Sequence, residues 1–148
     1  MDNIGYLLMK VSKDLRYALT EELKVFNLTA SQWAVLKRLE MEEEHNSSLL
    51  LRTAVEIAAK LDFDKPTMSG IVNRLVEKGM IKKERHPVDK RVFILSLSSE
   101  AKSLIPTLES ASNRVMNESL VHFSIEEKEL FLTLLTKLDH TLSRGGKK

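Results

Sequence analysis

The chain contains no cysteine. That one absence excludes disulfides, thiolate metal sites, cysteine nucleophiles and thiol-based redox sensing together. Membrane-length apolar runs are also missing, since nothing approaches the roughly 18 residues that a span requires. The opening MDNIGYLLMKVSKDL carries charges where a secretory signal would have a bare apolar core. A cytoplasmic location with no membrane partner is the expectation, and without secretion the glycosylation patterns at Asn46 and Asn117 carry no meaning. Aromatic residues amount to 5%, too few for a platform on which single-stranded bases stack, and Trp33 is assigned to the core. His45, His86, His122 and His140 are scattered, with no H-E-x-x-H or paired ligand spacing, so no metal site and no cofactor are expected. Ser99-Glu100-Ala101-Lys102 matches S-x-x-K formally but coincides with a helix start, where capping explains it. No catalytic constellation emerges, and an enzyme is not expected.

What is present suits one globular domain: 148 residues, 43% apolar and 30% charged, with no internal repeat. Ile4, Leu8, Val11, Leu15 and Ala18 recur at spacings of four and three, which places them on one face of a long first helix. FNLTASQW interrupts it. Thr29 and Gln32 have capping-box spacing, flanked by Leu28 and Trp33 as a hydrophobic staple, and a second helix is predicted from about Ala30 to Glu40. Thr53 and Glu56 repeat that spacing before a short third helix ending near Leu61. Asp64 is then a good N-cap, and Pro66 falls in the first turn, where its absent N–H costs nothing. A fourth helix is predicted from Lys65 to Lys78, stopped by Gly79. Met68, Ile71, Val72 and Leu75 share its inner face. Pro66, Gly70, Asn73 and Arg74 lie opposite, with Thr67 and Ser69 at the margins.

The period then drops to two. MIKKER and RVFILSLS read as strands around the loop RHPVDK, with Val92, Ile94 and Leu95 competing for the inward side. Helix resumes near Ser98, with Leu104, Ile105, Leu108, Ala111 and Val115 on one face and a bend expected at Pro106. Ser124 and Glu127 open a final helix carrying Leu130, Leu134, Leu135, Leu138 and Leu142, and the GGKK tail should fray.

The net charge of +2 is unevenly spread. Lys65 to Arg91 holds eight Lys or Arg and three acids, a net +5, which leaves −3 for the rest. Glu40, Glu42, Glu43 and Glu44 supply much of the negative share and read as a solvated face. The basic share coincides with two short helices, a tight turn and a hairpin, the pattern of a winged helix-turn-helix, whose second helix fits a major groove. Thr67, Ser69 and Asn73 there offer hydrogen-bonding groups, Lys65 suits phosphate, and Arg74 suits phosphate or guanine. Gly70 costs roughly 1 kcal/mol against Ala inside a helix; either a partner approaches the backbone closely there or the glycine is simply tolerated. The hairpin tip gathers Arg85, His86, Lys90 and Arg91 within reach of an adjacent minor groove, whose negative potential attracts arginine. Arg91 is the residue expected to enter it, oriented by a forked bond from Asp89 two residues earlier.

Residues 55–102, VEIAAKLDFDKPTMSGIVNRLVEKGMIKKERHPVDKRVFILSLSSEAK, resemble the MarR family of bacterial transcription regulators, with Asp89-Lys90-Arg91 as the D-x-R element of its wing. The resemblance implies a mainly α fold with a small β-hairpin wing, in which a winged helix-turn-helix is flanked by N- and C-terminal dimerisation helices. It implies a single domain over 1–148: dimerisation helices at about 1–27 and 117–143, a core at about 29–98 with the wing at 80–97, and a linking helix at about 98–117. Function would follow the family. The expectation is a sequence-specific, double-stranded DNA-binding repressor, acting as a homodimer on a palindromic operator and released by a small aromatic or phenolic effector. Residues 41–52, MEEEHNSSLLLR, depart from the family in length and acidity, so no pocket positions are carried over there. Independently of the resemblance, Ile4, Leu8, Val11, Leu15, Leu130, Leu134, Leu138 and Leu142 form terminal stripes too apolar for thin helical arms to cover within one chain, which also points to a dimer. The alternative is a winged-helix protein-interaction module without specific DNA binding. That role would leave the outer face of the fourth helix free to be apolar or acidic, and it is neither.

Overall fold

The computed structural model describes residues 3–45 and 48–146. Asn46 and the final Lys147 and Lys148 of the GGKK tail lie outside the described residues, whereas Gly145 and Gly146 continue the last helix. Helix α1 (Ile4–Leu23) passes into a 3-10 turn, Lys24–Phe26, that closes on Asn27 in the left-handed region at φ 56°. Helix α2 (Ala30–Glu44) begins at a complete capping box: Thr29 Oγ1 accepts the Gln32 N–H at 3.1 Å, and Gln32 Oε1 accepts the Thr29 N–H at 3.1 Å. After a 3-10 turn at Leu49–Arg52 comes α3 (Ala54–Leu61), where Thr53 Oγ1 accepts the Glu56 N–H at 3.2 Å, one half of the box expected there. Helix α4 (Lys65–Glu77) is followed by Gly79 at φ 72°. Strands β1 (Ile81–Arg85) and β2 (Phe93–Leu97) pair antiparallel, with Ile81 opposite Leu97 and Arg85 opposite Phe93. Helix α5 (Ser99–Ser119) runs through Pro106 uninterrupted. Helix α6 (Ile125–Gly146) starts at a second complete box, between Ser124 and Glu127.

These elements make a mainly helical winged helix-turn-helix with one hairpin among the described residues. Helix α2 is its axis and touches α1, α3, α4, α5 and β2. Trp33, Leu36 and Leu39 from α2 pack with Ile57, Leu75, Leu95, Ile105 and Leu108 in one core. Strand β2 is covered on both faces, because α2, α3, α5 and the turn at Leu49–Arg52 surround it. Ile94 (5% exposed) and Leu95 (0%) are therefore both buried, where a half-buried strand would hide only one.

Three expectations need correction. The second helix does not stop at Glu40 but continues to Glu44, so the acidic run is helical. It is not a solvated face either: Glu42 is 5% exposed and paired with Arg38, one turn earlier on α2, while Glu43 accepts the Leu97 N–H of β2 at 2.9 Å. Fixed donors at those two places make inward carboxylates favourable. Finally, 117–124 does not open the C-terminal helix; it completes α5 and forms the turn before α6.

The ends of the chain are built differently from its middle. On α1, Leu8 and Leu15 are half-buried while Ile4 and Val11 stay exposed. On α6, Leu130, Leu134, Leu138 and Leu142 are all exposed, and among the described residues no element packs extensively along the helix.

Candidate nucleic-acid interface

Helix α4 owes its start to Asp64, whose Oδ1 accepts the Thr67 N–H at 2.7 Å. That backbone bond, helped by the Thr67 side chain, holds the Asp64 carboxyl below the usual carboxylate range. With the helix start set, Met68, Ile71, Val72 and Leu75 are buried, and Lys65, Pro66, Thr67, Ser69, Asn73 and Arg74 are exposed. Gly70 is half-exposed, and a Cβ added there would meet only the Arg74 guanidinium, at 3.9 Å. Nothing in the chain's own packing therefore demands glycine at 70. Among the described residues, Lys65, Ser69, Asn73 and Arg74 make no side-chain hydrogen bond or ion pair within the chain. At the far end of α4, the Lys78 ammonium donates to the Asn27 carbonyl and to Gln32 Oε1 (3.2 Å), tying the helix to the α1–α2 junction.

The hairpin tip is organised by its own side chains. Asp89 Oδ1 accepts from Arg91 Nε at 3.1 Å, its Oδ2 accepts from the terminal guanidinium nitrogen at 3.3 Å, and the Arg91 N–H donates to Oδ1 at 3.2 Å. The Arg91 guanidinium beside Asp89 holds that carboxyl below its ordinary value. Arg91 itself remains 89% exposed. His86 turns inward: its Nδ1 accepts the N–H groups of Val88 (3.1 Å) and Asp89 (3.0 Å), closing the turn. Arg85 donates to the Lys90 carbonyl. Lys90 is exposed.

Two residues that sequence reasoning missed lie on the same hairpin. The Phe93 ring has Lys83 Nζ 4.5 Å and Arg85 Cζ 4.8 Å from its centroid. The signal was available in the strand period: Lys83 and Arg85 share a face of β1, and the register sets Phe93 opposite Arg85.

A cleft of about 580 Å³ opens between α1, α2 and α5, walled by Leu15, Leu19, Trp33 and Met116 with Arg16, Lys37 and Arg38 at its polar side. Lys37 bridges Glu109 of α5 and Glu40 (2.9 Å), and the Glu109 pairing, followed by Glu40, raises its ammonium above the ordinary lysine value. Among the described residues there is no cluster of ligands for a metal ion and no helix long and apolar enough to cross a membrane.

The MarR family model matches residues 28–93, from the residue before the α2 cap to the first residue of β2. A MarR protein from Peptoclostridium difficile shares the fold at TM-score 0.84 and 22% identity, over 97% of this chain and 90% of that one. The S. aureus MepR–DNA complex matches at TM-score 0.82 and 22% identity, over 96% of this chain and 100% of that one. A mutant E. coli MarR complexed with operator DNA gives TM-score 0.77 and 22% identity, over 91% and 92%. Residues 28–93 thus match the MarR family model, in a chain that follows the fold of those structures from α1 to α6.

Proposed function

We propose that the protein is a sequence-specific transcriptional regulator that binds double-stranded DNA as a homodimer. One observation carries this reading: α4 turns Lys65, Thr67, Ser69, Asn73 and Arg74 to solvent, next to a hairpin that holds Arg91 extended by a forked bond. A helix with that face suits the major groove, and an arginine so held suits the minor groove beside it. S. aureus MepR and E. coli MarR, whose fold this chain shares, are each seen on DNA. In the dimer, α1 and α6 of two copies cover the faces that one chain leaves open, around Ile4, Leu8, Val11, Leu15, Leu130, Leu134, Leu138 and Leu142. Two-fold symmetry then favours a palindromic operator, with half-sites about one helical turn apart. Occupying such a site represses transcription. The cleft beside Trp33, apolar with three cations at its polar side, is where a small aromatic or phenolic effector would bind and release the operator.

A gel shift on duplex DNA across a salt series tests the core of this proposal. Affinity should fall steeply with salt as phosphate contacts release counterions. Absence of binding at low salt would instead favour a protein-interaction role for the winged helix.

A further inference from the structure

The face of the hairpin that carries Ile81, Leu95 and Leu97 into the core continues outward to Phe93, Lys83 and Arg85. Ile81, Leu95 and Leu97 are buried, Phe93 is half-buried, and the two cations are exposed. Two like charges beside one ring repel each other. They stay together because the ring's negative face attracts both, an effect worth roughly 0.5 to 1 kcal/mol at exposed sites. Neither cation has a carboxylate partner among the described residues. Glu84 alternates to the opposite face of β1 with Lys82, and Asp89 is held by Arg91. Arg85 is further steadied by the Lys90 carbonyl, which leaves it other N–H donors.

We propose that Lys83 and Arg85, gathered on Phe93, form a phosphate-binding site for the DNA backbone beside the groove that Arg91 enters. This rests on the DNA-binding function proposed above. Phe93 is the positioning residue, and Lys83 and Arg85 are the contacts. The ring fixes both cations before DNA arrives, so less side-chain freedom is lost on binding. Lys83 thereby gains a role that its place in mid-strand does not announce.

Binding of a short random-sequence duplex, followed by fluorescence anisotropy through a potassium chloride series, tests the site. In Phe93→Leu the plot of log affinity against log salt should flatten by about one to two, with binding at the lowest salt about tenfold weaker. Phe93→Tyr should restore the wild-type slope, because it keeps the ring face. Lys83→Gln should flatten the slope by about one in the wild-type background and by much less in Phe93→Leu, since the two changes act on one site. An unchanged slope in Phe93→Leu, or an equal cost of Lys83→Gln in both backgrounds, would overturn the inference while leaving DNA binding intact. If Phe93→Leu does not fold, Lys83→Gln alone decides, because Lys83 is exposed: a wild-type slope in that variant defeats the site. A wild-type protein indifferent to the duplex would remove the proposed function, and this site with it.

Discussion

Helix α4 and the wing both present cations to solvent, but they hold them in opposite ways. On α4, Lys65, Ser69, Asn73 and Arg74 have no side-chain partner among the described residues, while the backbone beneath them is fixed by the Asp64 cap and four buried apolar side chains. On the wing, Arg91 is forked to Asp89, Arg85 reaches the Lys90 carbonyl, His86 closes the turn, and Lys83 sits over Phe93. The difference follows from support. A helix packed on the core is rigid without help from its outer side chains, so those remain available to match bases. A hairpin tip beyond the core has only its own side chains to order it. The helix is therefore suited to discrimination between base pairs, and the wing to a preset electrostatic grip.

Substitutions can separate the two roles. The largest expected effect is at Asn73. Asn73→Ala should lose about 1 to 3 kcal/mol of discrimination at particular base pairs if the residue reads a base edge; competition binding on duplexes varied one base pair at a time measures it, and a uniform loss would assign Asn73 to the backbone. Arg91→Ala should weaken duplex binding about tenfold, comparable to losing one charge-assisted hydrogen bond, with an unchanged dimer by light scattering. Normal affinity in that variant would remove the minor-groove role. Gly70→Ala should stabilise α4 by about 1 kcal/mol, seen as a raised Tm, and yet weaken DNA binding if the duplex approaches the backbone there. A stabilised protein with full affinity would mark the glycine as tolerated.

The smallest effect concerns Asp89. Its folded pKa is depressed by Arg91, so the fork is fully present above the ordinary aspartate value, about 3.9, and is lost as pH falls through the depressed one. A carboxyl NMR titration should show a midpoint below that ordinary value, rising toward it in Arg91→Ala. An unmoved midpoint would mean that the fork does not order the tip.

Much of α4 could be read from local signals, because its determinants are short-range: the Asp64 cap, Pro66 in the first turn, Gly79 after the last. The same holds for the caps at Thr29 and Ser124, each satisfied within three residues. The acidic run was misread for the opposite reason. Glu43 turns inward because the Leu97 N–H, far along the chain, points at it. In the β1–β2 ladder, Ser98 donates to the Met80 carbonyl, so the neighbouring Leu97 N–H faces away from β1 and is free for Glu43. No pattern local to Glu40–Glu44 carries that information. Likewise β2 defeats the alternation rule, since which of Ile94 and Leu95 is buried depends on what surrounds the strand, and helices and turns cover both faces. The inward turn of His86 was hidden as well, because a histidine in a basic loop reads as one more outward group until its ring nitrogen is seen accepting two backbone N–H groups.

Selection of bound duplexes from a random-sequence library, using the purified full chain, tests most directly the claim that two copies read DNA through paired α4 helices and wings. The account predicts enrichment of an inverted repeat whose half-sites are centred about one helical turn apart. Recovery of no common sequence, or of a single unrepeated half-site, would contradict it.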